Sequence, residues 1–391
     1  MTVDLDAAAG VFAASKDGTV GLEEEFAVLD PGTLDMVPRF EELRDAAHAT
    51  DPVLAESISG ELIASEIEIR SGKGADFHDA LGRQRDARRR LFALAETQGV
   101  ALGSTGTHPW ADFREQQFID TEHYRRVAEN LRYVAQRNSA FSLHAHVGVH
   151  DLDRAVRVCD RLRPVLPLLL ALSASSPCVD GLDAGLHSAR TQIFTKSFPR
   201  CGIPDAFGNW ATFREYLELL IRTRSIVEYT QVWWSVRPHL TFGTVEVRIC
   251  DAQMTAGESE ALSALIVATV LQAARDIDEG VPATDHPPRL IEENMWRAIR
   301  HGMDGAMIDL ERGEEEPAHA ALERLVAWTA PVRSEHGLDL PLPALNGAQR
   351  QRRALDGGAS LREVYAQAVA DTRATYASSG ERAGTAGAPA H

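Results

Sequence analysis

Hydrophobic positions recur along this chain in two rhythms, a period of two over short runs and a period near 3.6 over longer ones. The short runs predict strands at Thr19–Leu29, Ser65–Ser71, Val100–Ser104, Ser142–Val149 and Gly243–Asp251. The longer rhythm predicts helices at Asp76–Gln98, Thr121–Gln136, Asp151–Ser173, Trp210–Thr223, Glu258–Asp276, Arg289–Arg300, Ala318–Val332 and Ser360–Ala377. Punctuation agrees: Asp76 and Asp151 suit N-caps, Gly99 closes a helix, and Pro164 with Pro167 should kink the one that holds them. The first fourteen residues and the tail 378–391 are small and polar, so both are expected to be mobile. The stretches Val281–Pro288 and Glu311–Pro317 read as surface loops, because no strand-rich block follows to build a second core. The expectation is one α+β domain over residues 15–377.

Acidic residues sit inside these strands in a repeated way. In TVGLEEEFAVLD, Val20, Leu22, Glu24 and Phe26 share one face, and Glu23 with Glu25 take the other. In ELIASEIEIRSG, Ile67 and Ile69 oppose Glu66, Glu68 and Arg70, with Glu61 seven residues before Glu68. In GTVEVRICD, Val245, Val247 and Ile249 oppose Thr244, Glu246, Arg248 and Cys250. In SLHAHVGVH, His144 and His146 share a face, and Gly148 lets a ligand approach closely. Any one such strand is ordinary for a sheet wetted on one side. Together they offer up to six carboxylates, two imidazoles and two arginines on one face. Hard oxygen ligands with one or two nitrogens suit Mg²⁺ or Mn²⁺. Arg70 and Arg248 could neutralise phosphate oxygens, which with the metals is the equipment of phosphoryl transfer. No glycine-rich phosphate loop is present, so an ATP site here would be built from metals on a sheet.

Composition narrows the partners. The 391 residues are 44% apolar and 25% charged, the mix of a soluble globular protein. A net charge of −17 makes nucleic acid a poor partner, and an anionic substrate should arrive with metal ions. The basic run from Arg83 to Arg90 spreads around its helix and reads as a solvated or salt-bridged face. No export signal or membrane span is expected, since the most apolar run, Val165–Ala174, is too short and contains Pro167. Four widely spaced cysteines suit free thiols in a reducing cytoplasm.

The motifs GLEEEF, SEIEIRSG, GTHP, H-x-HVGV, LSASSP, FPRCGIP and GTVEVRICD follow in the order seen in YbdK-type carboxylate–amine ligases. The chain resembles that group over Val20–Met254, within the glutamate–cysteine ligase type 2 family of the glutamine synthetase superfamily. The resemblance implies a curved antiparallel sheet of about six strands with helices behind it, a glutamine synthetase-like fold. It implies an ATP-dependent ligase that makes an acyl phosphate from a carboxylate, typically the γ-carboxylate of glutamate, which an amine such as that of cysteine then attacks. It assigns metals to Glu23, Glu25, Glu61, Glu68, His144 and Glu246, with the choice between His144 and His146 open. Glu246 and Arg248 would be catalytic, and His146, Arg190, Lys196 and Arg237 would face nucleotide or substrate. Trp233 and Trp234 read as packing, and so does Cys250. A homodimer is compatible. Two rivals stand beside this reading: a metal-dependent amide hydrolase, which would need about eight βα units, and a non-catalytic nucleotide-binding regulator.

Overall fold

The computed structural model describes residues 5–378. Its spine is a seven-stranded antiparallel sheet. The strands are β1 (Val20–Leu29), β2 (Ile58–Ser59), β3 (Glu66–Arg70), β4 (Ala101–Gly103), β5 (Ser142–Gly148), β6 (Val236–His239) and β7 (Thr244–Asp251). Their lateral order is β6-β7-β5-β1-β3-β2, and β4 pairs with the far end of β1. The five strands expected from alternation are all present. The two additions are β2, too short to show a period, and β6, which contains Pro238.

One face of the sheet is apolar and covered. Leu22, Phe26, Ile67, Ile69, Leu143, Ala145, Val147, Val245 and Val247 are buried there. The helices Phe77–Thr97, Leu152–Leu162 and Ala256–Asp278 pack behind it. The last begins with a capping box, Thr255 and Glu258 each satisfying the other's backbone amide. It is buried on nearly every side, as a central helix must be.

Glu24 is the exception on that apolar face. It is 4% exposed, and Arg88 of the Phe77–Thr97 helix is 1% exposed. The guanidinium holds the carboxylate by two bonds, Nε–Oε2 at 2.7 Å and Nη2–Oε1 at 2.5 Å. Gln84 donates to the same carboxylate at 2.9 Å, and the Ser259 hydroxyl donates to it as well. Arg88 also reaches Glu260 at 2.8 Å, and Arg85 pairs with Glu260. The basic run is therefore salt-bridged as expected, but one of its members sits at the centre of the molecule.

Some expectations are corrected. Residues Leu5–Ala13 form a helix whose Ala8 and Phe12 are buried in the main core, so the N-terminal segment is docked from residue 5. The tail expected to be mobile lies outside the described residues from position 379. The expected helix Thr121–Gln136 divides at Arg132, whose φ of 52° no helix can continue through. The helix holding Pro164 and Pro167 breaks as forecast, into Leu152–Leu162, one 3₁₀ turn and Leu166–Ser173. The acidic loop near Glu311 is instead the turn of a hairpin, Ala306–Asp309 with Glu314–Pro317. Arg324 pairs with Glu316 and Arg312 with Asp309, so the acids do not oppose pairing. Helices at Phe40–Thr50, Ala189–Ser197 and Gly347–Asp356 were not foreseen.

The Glu24–Arg88 pair yields a stability test. Arg88→Met should cost about 3–5 kcal/mol in chemical denaturation, because it leaves a buried carboxylate without its cation. Glu24→Leu combined with Arg88→Met should recover most of that loss. A single-variant cost under about 1 kcal/mol would show the pair to be incidental.

Candidate active site

The opposite face of the sheet collects the acids that parity predicted, most of them buried. Register sets their spacing: Glu23 lies opposite Arg70 on one side and His144 on the other, and Glu25 lies opposite Glu68. His146 lies opposite both Gly21 and Glu246, and Glu246 lies opposite Arg237. Four adjacent strands thus bring together residues more than 200 positions apart.

Three overlapping donor sets result, each with its ligand atoms within 4.8 Å of one another: Glu23, Glu68 and His144; Glu23, His146 and Glu246; Glu25, Glu61 and Glu68. Glu23 and Glu68 are each shared between two sets. His144 Nδ1 is 3.2 Å from Glu23 Oε2, while His146 Nε2 is 3.4 Å from Glu23 Oε1 and 3.6 Å from Glu246 Oε1. Each histidine belongs to a different set. Both rings present a buried Nε2 with no hydrogen-bond partner among the described residues. Orphan imidazole nitrogens beside carboxylates, in a site without thiols, are the donor chemistry of Mg²⁺ or Mn²⁺.

Charge is divided unevenly across the cluster. At the β5–β7 end, burial acts to raise Glu246, but the Arg237 and Arg248 guanidiniums outweigh it and hold the carboxyl well below the usual range. Glu23 likewise ends well below that range, because His146 and His144 overcome its burial. His146 is raised despite burial, by Glu246 and Glu23, whereas burial and Arg248 lower His144. At the β3 end the balance reverses. Desolvation and the neighbouring Glu25 push Glu61 up to about 8. Burial and adjacent acids also push Glu68 and Glu66 well up. Arg70 is the counter-charge nearest Glu68 and is outweighed there by burial and the adjacent acids, so bound cations would be needed to ionise that end fully.

The arginines have distinct roles. Arg248 Nη1 bonds Glu246 Oε1. Arg237 donates to Glu246 Oε2 at 2.6 Å and to the carbonyls of Thr230 and Val232 at 3.0 and 2.7 Å, so it is consumed inside the protein. Arg190 lies beneath the strand that carries Arg248, donating to the carbonyls of Ile249 and Arg248 at 2.9 and 3.3 Å. Lys196 pairs with Glu292 at 2.6 Å on the surface, away from the site. The helix Ala189–Ser197 explains the split, since residues six apart point to different sides of it. Arg70 is half-exposed, 3.6 Å from Glu68. Trp234 packs with Phe207, Phe213 and Tyr216. Cys250 is buried core, because a register shift between Val247 and Cys250 breaks the alternation that aimed it at the site.

Beside the acids opens a cavity of about 450 Å³, with Glu23 and His146 in its wall. Arg70, Gly72 and Lys73 border it on the β3 side, and Thr241 and Phe242 on the β7 side. The Phe242 ring is 53% exposed and stacks on His239 at 4.2 Å. Sequence reasoning missed Phe242, Lys73 and Tyr124, whose hydroxyl donates to the Gly60 carbonyl at 2.6 Å next to the acids. Glu66 carried the same strand parity as Glu68, and that signal was available.

Known proteins place the chain. The model of the glutamate–cysteine ligase family 2 matches residues 19–367. A Solibacter usitatus protein provisionally named glutamate–cysteine ligase 2 is 36% identical over 366 residues, covering 90% of this chain and 93% of that one. A Rubrobacter xylanophilus protein provisionally named glutamate–cysteine ligase 2-2 is 37% identical over 363 residues, covering 92% of each. Among solved structures, the glutamate–cysteine ligase of Francisella tularensis in complex with AMP aligns with a TM-score of 0.65 at 12% identity, over 93% of this chain and 90% of that one. The bifunctional glutathione synthetase of Pasteurella multocida aligns with a TM-score of 0.67 at 14% identity, over 94% of this chain and 53% of that one. With the family model covering nearly the whole chain and relatives 36–37% identical over about nine-tenths of it, this protein belongs to the glutamate–cysteine ligase family 2, as a carboxylate–amine ligase of that type.

Proposed function

We propose that the protein joins the γ-carboxylate of glutamate to an amine, that of cysteine or a related small molecule, at the expense of ATP. The observation that carries this reading is the trio of overlapping donor sets beside a nucleotide-sized cavity. A carboxylate oxygen attacks the γ-phosphorus of ATP and the bond to the β-phosphate oxygen breaks, giving an acyl phosphate and ADP. The amine nitrogen then attacks the acyl carbon, phosphate leaves, and the nitrogen loses a proton. Divalent cations bound to the three sets would neutralise the terminal phosphates and polarise the transferring group. Glu23 and Glu68, shared between sets, fix the spacing of the ions. Arg248, steered by Glu246, presents its guanidinium to the phosphoryl oxygens. The γ-carboxylate lies towards the β3 end, where cation binding leaves room for an anion. Four free thiols fit the reducing cytoplasm in which such a reaction would run.

Release of ADP should require Mg²⁺ or Mn²⁺, an acid and an amine together. Glu23→Gln and Glu246→Gln should each lower it roughly 100-fold or more while the circular dichroism stays native. AMP and pyrophosphate as products, or amide cleavage without nucleotide, would overturn the proposal.

The acid cluster also sets a pH response. Glu61, raised to about 8, and Glu68 and Glu66, also raised, keep protons in the folded chain that the unfolded chain releases near 4.5. Their stabilisation is present below that value and is lost as pH rises towards 8. Glu23 and Glu246, held low, lose their contribution only as pH falls below about 4.5, outside this window. The metal-free melting temperature should therefore fall between pH 5 and pH 8, and Mg²⁺ should raise it more at pH 8 than at pH 6. Glu61→Gln should flatten the profile; an unchanged slope in that variant would place the effect elsewhere.

A further inference from the structure

Three stretches of the sequence motifs supply no ligand to the donor sets: GTHP, LSASSP and the Ser188–Arg190 step that opens the helix Ala189–Ser197. All three converge on Asp251, the last residue of β7, which is fully buried. Asp251 Oδ2 accepts from the Ser175 amide at 2.9 Å and from the Ser176 hydroxyl at 2.6 Å. Its Oδ1 accepts from the Ser188 hydroxyl at 2.9 Å, and Arg190 Nη1 stands 3.5 Å from it. Gly106 of GTHP passes so close that a Cβ there would stand 2.6 Å from Asp251 Oδ2. A carboxylate this deep is tolerated only when donors and a cation surround it.

Arg190 links that carboxylate to Arg248. Its own amide donates to the Ser176 hydroxyl at 3.2 Å, and its guanidinium donates to the Ile249 and Arg248 carbonyls at 2.9 and 3.3 Å. Those carbonyls lie in the register shift of β7, where the ladder to β5 is interrupted. The Arg248 side chain in turn bonds Glu246. Neither Asp251 nor Arg190 lines the cavity beside Glu23 and His146, so neither is placed to touch a nucleotide there.

We infer that Asp251 is a positioning residue for the reaction proposed above: by holding Arg190 against the Arg248 and Ile249 carbonyls, it fixes the origin from which Arg248 meets the phosphoryl group. This rests on the ligase reading, in which Arg248 faces the transferring group. The effect falls on turnover and not on binding, because the donor sets keep all their members when Asp251 or Arg190 is changed.

Steady-state ADP release by the full chain from Mg²⁺–ATP, with glutamate and a panel of amines that begins with cysteine, tests this. The proteins are the unsubstituted chain, Asp251→Asn, Arg190→Lys and the double variant, each assayed where circular dichroism shows it folded. Asparagine keeps the shape and the backbone pairing with Ser142 of β5, but sets an uncharged amide against Arg190. Lysine keeps the charge of Arg190 but lacks the planar fork that spans two carbonyls and a carboxylate. Each single variant should lower kcat about 10- to 100-fold while KM for ATP and for glutamate stays within about 3-fold, since a small misplacement near the chemistry costs that much. The double variant should fall no further than the worse single one, because both changes act through one guanidinium. Arg190→Lys carries the comparison if Asp251→Asn fails to fold. A kcat within about 2-fold of the unsubstituted chain, whatever the melting temperature, makes the network structural alone and overturns the inference. So do losses that multiply in the double variant, and so does a rise in KM for glutamate that accounts for the fall in kcat/KM, which would make Arg190 a substrate contact. If the unsubstituted chain releases no ADP with any amine, the ligase reading falls and this inference falls with it.

Discussion

Mutual repulsion of carboxylates on one sheet face is the constraint around which this molecule is arranged. Two unit charges 4 Å apart interact by about 4 kcal/mol at the effective dielectric near a protein surface. Glu23, Glu25, Glu61, Glu68 and Glu246 belong to sets whose ligand atoms lie within 4.8 Å of one another, and Glu66 feels Glu25, Glu61 and Glu68 beside it. The protein answers it on one side only. Arg237, Arg248 and His146 neutralise Glu246 and Glu23. The acids of β3 and of the segment before it are left facing one another. Under the proposed function, cations bound at such a face would fill the deficit, and metal binding and folding would then share one free energy.

A face under that strain needs a rigid back. Glu24 lies between Glu23 and Glu25 in sequence and points the other way, into the grip of Arg88, Gln84 and Ser259. Burying an ion pair gives little net stability, but it gives register, since only one rotation of β1 satisfies it. A strand slipped by one residue would put Glu24 in the site and two acids in the core. The pair thus opposes the one error that would destroy the donor sets.

Most of the site was legible because strands have a period of two. Parity alone placed Glu23 with Glu25, His144 with His146 and Glu246 with Arg248 on the right faces. Parity says nothing of strand order, so the pairing of His146 with Glu246 and the three-way division of ligands needed coordinates. It also failed at Cys250, where a register shift rotates the chain. Arg190 and Lys196 part for a related reason: an unforeseen helix turns them about 120° away from each other. The N-terminal helix escaped notice because it is only nine residues long, and its docking depends on Phe12 and Ala8 meeting a core assembled from distant segments.

The register shift that misplaced Cys250 has a structural use. Arg248 and Ile249 have no partners across the ladder in β5, because pairing resumes only at Cys250 with Leu143. Their carbonyls would be stranded in a buried site. Arg190, itself buried, donates to both of them, and the Arg248 amide bonds the Ser235 carbonyl. One guanidinium therefore replaces the missing ladder and fixes the backbone from which the Arg248 side chain departs. Bulges beside active sites re-aim side chains in this way. Arg190 thus holds the backbone from which Arg248 departs and does not line the cavity beside Glu23 and His146, and its two carbonyl bonds offset the cost of breaking the ladder.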